Sequence, residues 1–106
     1  KFKLKDTMKY LPLDYVERLK FIQEDSQKVN LKEKFGMVLV DGEHTITGVR
    51  RDTMNIWMNL DDNGYMLFHD YALQEGVTKF VDDLCNRFNQ AKFIQQEKNI
   101  AVVQKL

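Results

Sequence analysis

The apolar positions change period several times along the chain, and each change marks an element. Phe35–Gly36–Met37–Val38–Leu39–Val40 is a short, nearly continuous apolar run closed by Asp41–Gly42. Such a run, followed by a helical pattern, predicts a strand buried on both faces of a parallel sheet. From there Ile46, Val49, Ile56, Trp57 and Leu60, with Thr53 filling the gap, fall on one helical stripe, leaving Arg50, Arg51 and Asp52 toward water. Asp61–Asp62–Asn63–Gly64 reads as a turn with Gly64 free to take positive φ. Tyr65–Met66–Leu67–Phe68 is the next buried strand, closed by His69–Asp70. Val77, Phe80, Val81, Leu84, Cys85 and Phe88 form the cleanest helical stripe. The tail, 91–96 and 99–105, predicts an antiparallel hairpin around Glu97–Lys98.

The N-terminal third is less regular. Asp6 can cap a short helix through Thr7, Met8 and Tyr10 that Pro12 interrupts, and a second short helix passes through Tyr15, Val16 and Leu19. Leu19–Lys20–Phe21–Ile22–Gln23 reads as a strand ending at Glu24–Asp25–Ser26, and Asp25 or Ser26 can cap a short polar helix over 27–34. The sum is one partial domain: a helical lead-in over 1–18, β-α-β-α-β-α over 19–90, and a hairpin over 91–106. Strand–helix alternation predicts an α/β fold, a mostly parallel sheet with right-handed crossovers and helices on both faces, edged by the antiparallel hairpin. Ligands of such sheets bind beyond the carboxyl ends of the strands. Those ends are all polar here: Asp25–Ser26, Asp41–Gly42–Glu43–His44 and His69–Asp70.

Composition narrows the class. In 106 residues, 16 Lys+Arg balance 16 Asp+Glu and 43% are hydrophobic, which excludes a disordered chain and argues against a nucleic-acid binder. No apolar run reaches the roughly 18 residues of a membrane span. Cys85 has no partner within the chain, which fits a reducing, cytoplasmic setting. The chain opens at Lys1 without an initiator methionine, as a cut or processed polypeptide would.

The chemistry should lie at the polar rim. If the strands 35–40 and 65–68 are neighbours, Asp41 and Asp70 end roughly 4.8 Å apart, allowing for side-chain reach. Two carboxylates so close repel unless a cation or shared proton lies between them, and hard oxygen ligands suit Mg²⁺ or Ca²⁺. His44, three residues past Asp41, can act as general base beside that ion, because imidazole titrates near neutrality. Composition alone favours a plainer reading: Asp41, Gly42 and Asp70 as turn and capping residues, His44 as a cap or solvated side chain. His69 should point away from Asp70 and be structural. Trp57 and the aromatics of the last helix are expected in the core, and Cys85 as an inert thiol.

Three blocks in order, "MVLVDGEHTITGVRRD", "NLDDNGYMLFHDY" and "GVTKFVDDL", resemble the second half of a class I S-adenosylmethionine-dependent methyltransferase. The likeness covers roughly 19–106, whereas 1–18 carry no signature. It implies a Rossmann-like fold and a set of roles. Asp25, with Ser26 beside it, falls where related enzymes meet the adenine of S-adenosylmethionine. Asp41 falls at the cofactor and, with Asp70, where metal-assisted O-methyltransferases hold a divalent ion such as Mg²⁺. His44 falls where a general base takes the proton of an acceptor hydroxyl. In catechol-type relatives an amide follows the second carboxylate as a further ligand; Tyr71 stands there here.

The first half of that fold, strands 1 and 2 with their Gly-rich loop and ribose-binding acid, is absent: Gly36, Gly42, Gly48, Gly64 and Gly76 include no Gly-x-Gly. The strand 35–40 is then left with an open edge. Three outcomes are expected: 19–24 moves beside it, a second copy covers it by dimerising or swapping, or the missing half exists. The leading expectation is a portion of a methyltransferase that O-methylates a small hydroxylated acceptor, inactive as these 106 residues alone. A non-enzymatic, oligomeric α/β module that keeps the signature as scaffold is the alternative, and a metal-dependent hydrolase a weaker third.

Overall fold

A computed structural model describes residues 12–18, 20 and 22–106. The expected helix through Met8 and the capping Asp6 lie outside them. Among the described residues three helices and four strands succeed one another in the order α1 (Leu13–Arg18), β1 (Phe35–Val40), α2 (Ile46–Trp57), β2 (Leu60–His69), α3 (Glu75–Arg87), β3 (Ala91–Glu97) and β4 (Ile100–Lys105). The strands form one sheet in the order β1-β2-β4-β3. β1 and β2 are parallel, β2–β4 and β4–β3 antiparallel, so the sheet is mixed rather than mostly parallel. The reason lies in the tail. β3, reached through α3, runs in the direction of β2 but one strand away, and the two-residue Lys98–Asn99 link folds β4 back antiparallel into the place between them.

Helices on both faces were expected, but α2 and α3 share one. Val38 and Val40 of β1, Met66 and Phe68 of β2, and Ala101 and Val103 of β4 alternate onto it. Against them pack Val49 and Trp57 from α2 and Val77, Phe80, Val81 and Leu84 from α3. Fully burying each such side chain contributes about 1.5–3 kcal/mol, and tilted aromatic pairs fix the layers. Phe68 meets Phe80 at 6.1 Å and Trp57 meets Phe88 at 5.9 Å between ring centroids. Lys105 at the end of β4 donates through Nζ to the carbonyls of Trp57 and Leu60 at 3.0 and 2.8 Å, tying the C-terminus of α2 to the sheet.

β1 is buried on one face only, contrary to the reading of its apolar run. Met37 and Leu39 alternate to the other face and are 63% and 58% exposed. Among the described residues no strand pairs with its outer edge. Ile22 and Gln23, expected in a strand, lie outside any element, while Leu19 and Phe21 are outside the described residues.

Residues 61–64 are not a free turn but an excursion inside β2. Between paired positions β1 advances from Phe35 to Met37 while β2 advances from Leu60 to Tyr65. The positive φ expected at Gly64 falls on Asn63, at 67°. Gly64 is required for space instead: a Cβ there would lie 2.8 Å from the Asp61 carbonyl oxygen and 3.0 Å from that of Gly36.

The predicted helix over 27–34 is a single turn, Ser26–Lys28. Asp25 caps it, accepting the Gln27 amide through Oδ1 at 2.9 Å and the amides of Lys28 and Val29 through its carbonyl. The chain from this turn to Glu33 is held by side chains of α2 and of the turn that follows it. Asn55 Nδ2 donates to the carbonyls of Ser26 and Val29, and Asn59 Nδ2 to those of Leu31 and Glu33, all within 2.7–2.9 Å. Ser26 Oγ donates to Asp52 Oδ1 at 2.6 Å. Asp52, expected in water, is therefore buried beneath the segment it holds. Asp52 and Asn55 on α2 and Asn59 just past its end thus supply the partners that a helix over 27–34 would have provided internally.

Candidate active site at the carboxyl end of the parallel pair

The parallel pairing of Val40 with Phe68 delivers the two following loops to one rim of the sheet. Asp41 leaves β1 there. Asp70 comes after β2 with φ of 68°, a left-handed turn that Asp tolerates because its short side chain bonds locally. Its carbonyl accepts the amides of Leu73 and Gln74, closing a turn before α3. Gly48 N donates to Thr45 Oγ1 at 3.1 Å, making Thr45 the N-cap of α2 and leaving His44 just ahead of the helix.

One ligand-type atom from each of Asp41, His44 and Asp70 lies within 4.8 Å of the others. His44 Nε2 stands 2.8 Å from Asp70 Oδ2. Asp70 is nearly buried, while Asp41 and His44 remain open to solvent, so the cluster has an inner wall and an entrance. His69 was expected to turn away, as the alternation of a strand requires. The left-handed step at Asp70 breaks that alternation, and His69 Nδ1 instead stands 3.2 Å from Asp70 Oδ1 and 3.4 Å from Asp41 Oδ1. The sequence carried no sign of this beyond the adjacency of the two residues.

Gly76 seats His44. A Cβ on this first-turn residue of α3 would collide with the His44 carbonyl oxygen, the Ile46 amide nitrogen and the Thr45 carbonyl carbon. Its absence lets α3 press directly on the loop between β1 and α2.

A cavity of about 260 Å³ lies beside this rim, lined in part by Ser26, Val29, Leu39, Asp41, Gly42 and Asp52. Ligand pockets commonly start at about 300 Å³, so it accommodates one ring of a larger molecule rather than the whole. Ser26 and Asp41 both line it. Asp25 is exposed and spends its carboxylate on the turn.

Tyr71, which stands where a further ligand was considered, faces elsewhere. Its hydroxyl donates to Asp82 Oδ1 on α3 at 2.6 Å, and its ring leans on Phe93 at 5.6 Å. The hydrogen bond to Asp82, aided by burial and by the charges of Asp82 and Cys85, pushes the phenol from its usual 10 to about 12. Between these values the unfolded chain releases a proton that the folded chain keeps. The contact's stabilisation is therefore full below pH 10 and lost as pH rises through about 12. Tyr71→Phe is expected to cost about 1 kcal/mol at neutral pH and to flatten that alkaline decline. Thermal melts of both proteins across this range check it, and parallel declines would refute it. Burial and then the Asp82 charge push the Cys85 thiol up as well, which keeps it inert.

Among the described residues no helix is long and apolar enough to cross a membrane. Residues 4–71 match a family model described as a methyltransferase domain. The match takes in Asp41, His44 and Asp70, and also 4–18, where no signature is legible. No curated protein sequence matches the chain. The solved structure of the O-methyltransferase NovP superposes with a TM-score of 0.58 at 16% identity, over 69% of this chain and 30% of that one. At that identity the likeness is one of fold, and the chain spans less than a third of that structure.

Proposed function

The chain belongs to the methyltransferase-domain family, and from that premise we propose that it is the acceptor-side portion of an S-adenosylmethionine-dependent O-methyltransferase acting on a small hydroxylated molecule with the help of a divalent ion. The observation that carries the reading is the convergence of Asp41, His44 and Asp70 at the carboxyl ends of adjacent parallel strands. Such a rim is where open α/β sheets bind ligands.

Each group has a role in keeping with its surroundings. A proton on His44 Nε2 faces Asp70 Oδ2, leaving Nδ1 with the lone pair that can take an acceptor's hydroxyl proton. Asp70, fixed by its turn, orients that ring and balances the charge it gains. Asp41 and the second oxygen of Asp70 are the hard donors a divalent ion requires, and such an ion would hold the hydroxyl and ease its ionisation. The cavity at Ser26 and Asp41 fits the adenine ring, with Gly42 leaving room: a Cβ there would lie 2.7 Å from Asp52 Oδ2. S-adenosylmethionine supplies a methyl group on sulfonium that an oxygen nucleophile displaces, with a thioether leaving.

Calorimetric titration of the chain with S-adenosylhomocysteine tests this. Saturable binding at millimolar concentration or tighter, lost when Ser26→Trp fills the cavity, is the expected result. The exposed β1 edge with Met37 and Leu39 favours a second reading, an oligomeric non-enzymatic module. Titrations without saturation, together with sedimentation as a dimer, would replace the first reading by the second.

A further inference from the structure

The amides of residues 71–74, between Asp70 and α3, all have partners, and one partner is a side chain. Tyr71 N donates to the Asn99 carbonyl at 3.0 Å, and Leu73 N and Gln74 N both donate to the Asp70 carbonyl, at 3.1 and 2.9 Å. Ala72 N donates to Thr78 Oγ1 at 2.8 Å. The same hydroxyl donates its own proton to the Gln74 carbonyl, one helical turn back, at 2.9 Å. Threonine can make that backward bond because its hydroxyl reaches the i−4 carbonyl. The bond fixes the rotamer and aims a lone pair of the oxygen at the loop.

The loop requires such a hold. Asp70 and Ala72 have φ of 68° and 69°, so two non-glycine residues in close succession are left-handed. Alanine has no polar side chain to bond locally and adopts that region only where its surroundings impose it. Burial does not impose it, because Ala72 is exposed and Leu73 is 62% exposed. The Tyr71 hydroxyl on Asp82 fixes a side chain and leaves the backbone of Ala72 free. What remains is the Ala72 amide, held by Thr78. If Ala72 relaxes, the chain no longer returns toward Asp70, and the two bonds that close the turn on its carbonyl go with it. We propose that Thr78 is a positioning residue: through Ala72 it holds the turn that presents Asp70 Oδ2 to His44 Nε2 at 2.8 Å. The inference rests on the reading of His44 as a base oriented by Asp70, and adds to it the residue of α3 that keeps the two aligned.

Proton–nitrogen spectra of the parent and its variants at one fixed pH, together with thermal melts, test this. Thr78→Val keeps the branched shape and removes the hydroxyl. It is expected to shift the ring-nitrogen resonances of His44 and to lower the melting temperature by roughly 4–8 °C, as the loss of one hydrogen bond does in a domain of this size. Thr78→Ser keeps the hydroxyl and should return the His44 resonances to those of the parent. Ala72→Gly removes the steric objection to positive φ. Combined with Thr78→Val it should bring the resonances most of the way back, and that pair serves should Thr78→Val alone not fold. Unmoved His44 resonances in Thr78→Val, or a Thr78→Ser variant no closer to the parent than Thr78→Val, would overturn the proposal. S-adenosylhomocysteine titrated into the same samples separates the two levels. A parent that binds none removes the methyltransferase reading and the proposal with it, whereas binding with unmoved resonances removes the role of Thr78 alone.

Discussion

Replacing Phe68 by alanine is expected to remove about 3–5 kcal/mol of stability, the usual cost of emptying a large aromatic site in a core. Phe68 is fully buried, lies between Val40 and Ala101 in the sheet, and meets Phe80 of α3. Whole domains are stable by about 5–15 kcal/mol, so the loss is a large share of the total. The melting temperature should fall by roughly 12 °C or more, read by far-ultraviolet circular dichroism and urea titration. The residue stands immediately before His69 and Asp70, so the rim should loosen with it. A loss under about 1 kcal/mol would mean that α3 does not cover β2 as described.

Gly76→Ala is the second large effect, and its sign is the informative part. In an ordinary helix the change stabilises by roughly 0.5–1 kcal/mol. Here the new methyl group meets only backbone atoms, those of His44, Thr45 and Ile46, none of which can rotate away. The loop must move or α3 must back off, at about 1–3 kcal/mol. Either movement lengthens the 2.8 Å approach of His44 to Asp70. The expected result is a lower melting temperature together with shifted imidazole resonances of His44 in proton–nitrogen spectra. A variant that melts higher than the parent, with those resonances unmoved, would show that helix and loop are not in contact.

How much was legible depended on whether a feature needed one element or two. Strand β1 and helices α2 and α3 follow from local period, although the stripe read for α2 overran it: the helix ends at Trp57, and Leu60 opens β2. The same stripes say which side chains are apolar but not which find cover. Met37 and Leu39 belong to an unbroken apolar run, yet face away from both long helices because strand alternation sends them there. Asp52 misleads in the opposite sense. It is charged and next to two exposed arginines, but the segment at 26–33 lies over it, and nothing near residue 52 announces a segment that distant. His69 was misjudged because alternation was assumed to continue through Asp70, where the backbone turns left-handed.

The order of acidic and imidazole side chains at 41, 44, 69 and 70 was written in the chain, as was the parallel crossover that could bring them together. Those are consequences of composition and period, which act over a few residues. Only the tertiary structure decided that β4 returns antiparallel beside β2, that both long helices share a face, and that the second imidazole turns toward the two carboxylates. Each depends on which surfaces meet across the fold, and the free energy of such meetings belongs to pairs of distant segments rather than to either segment alone.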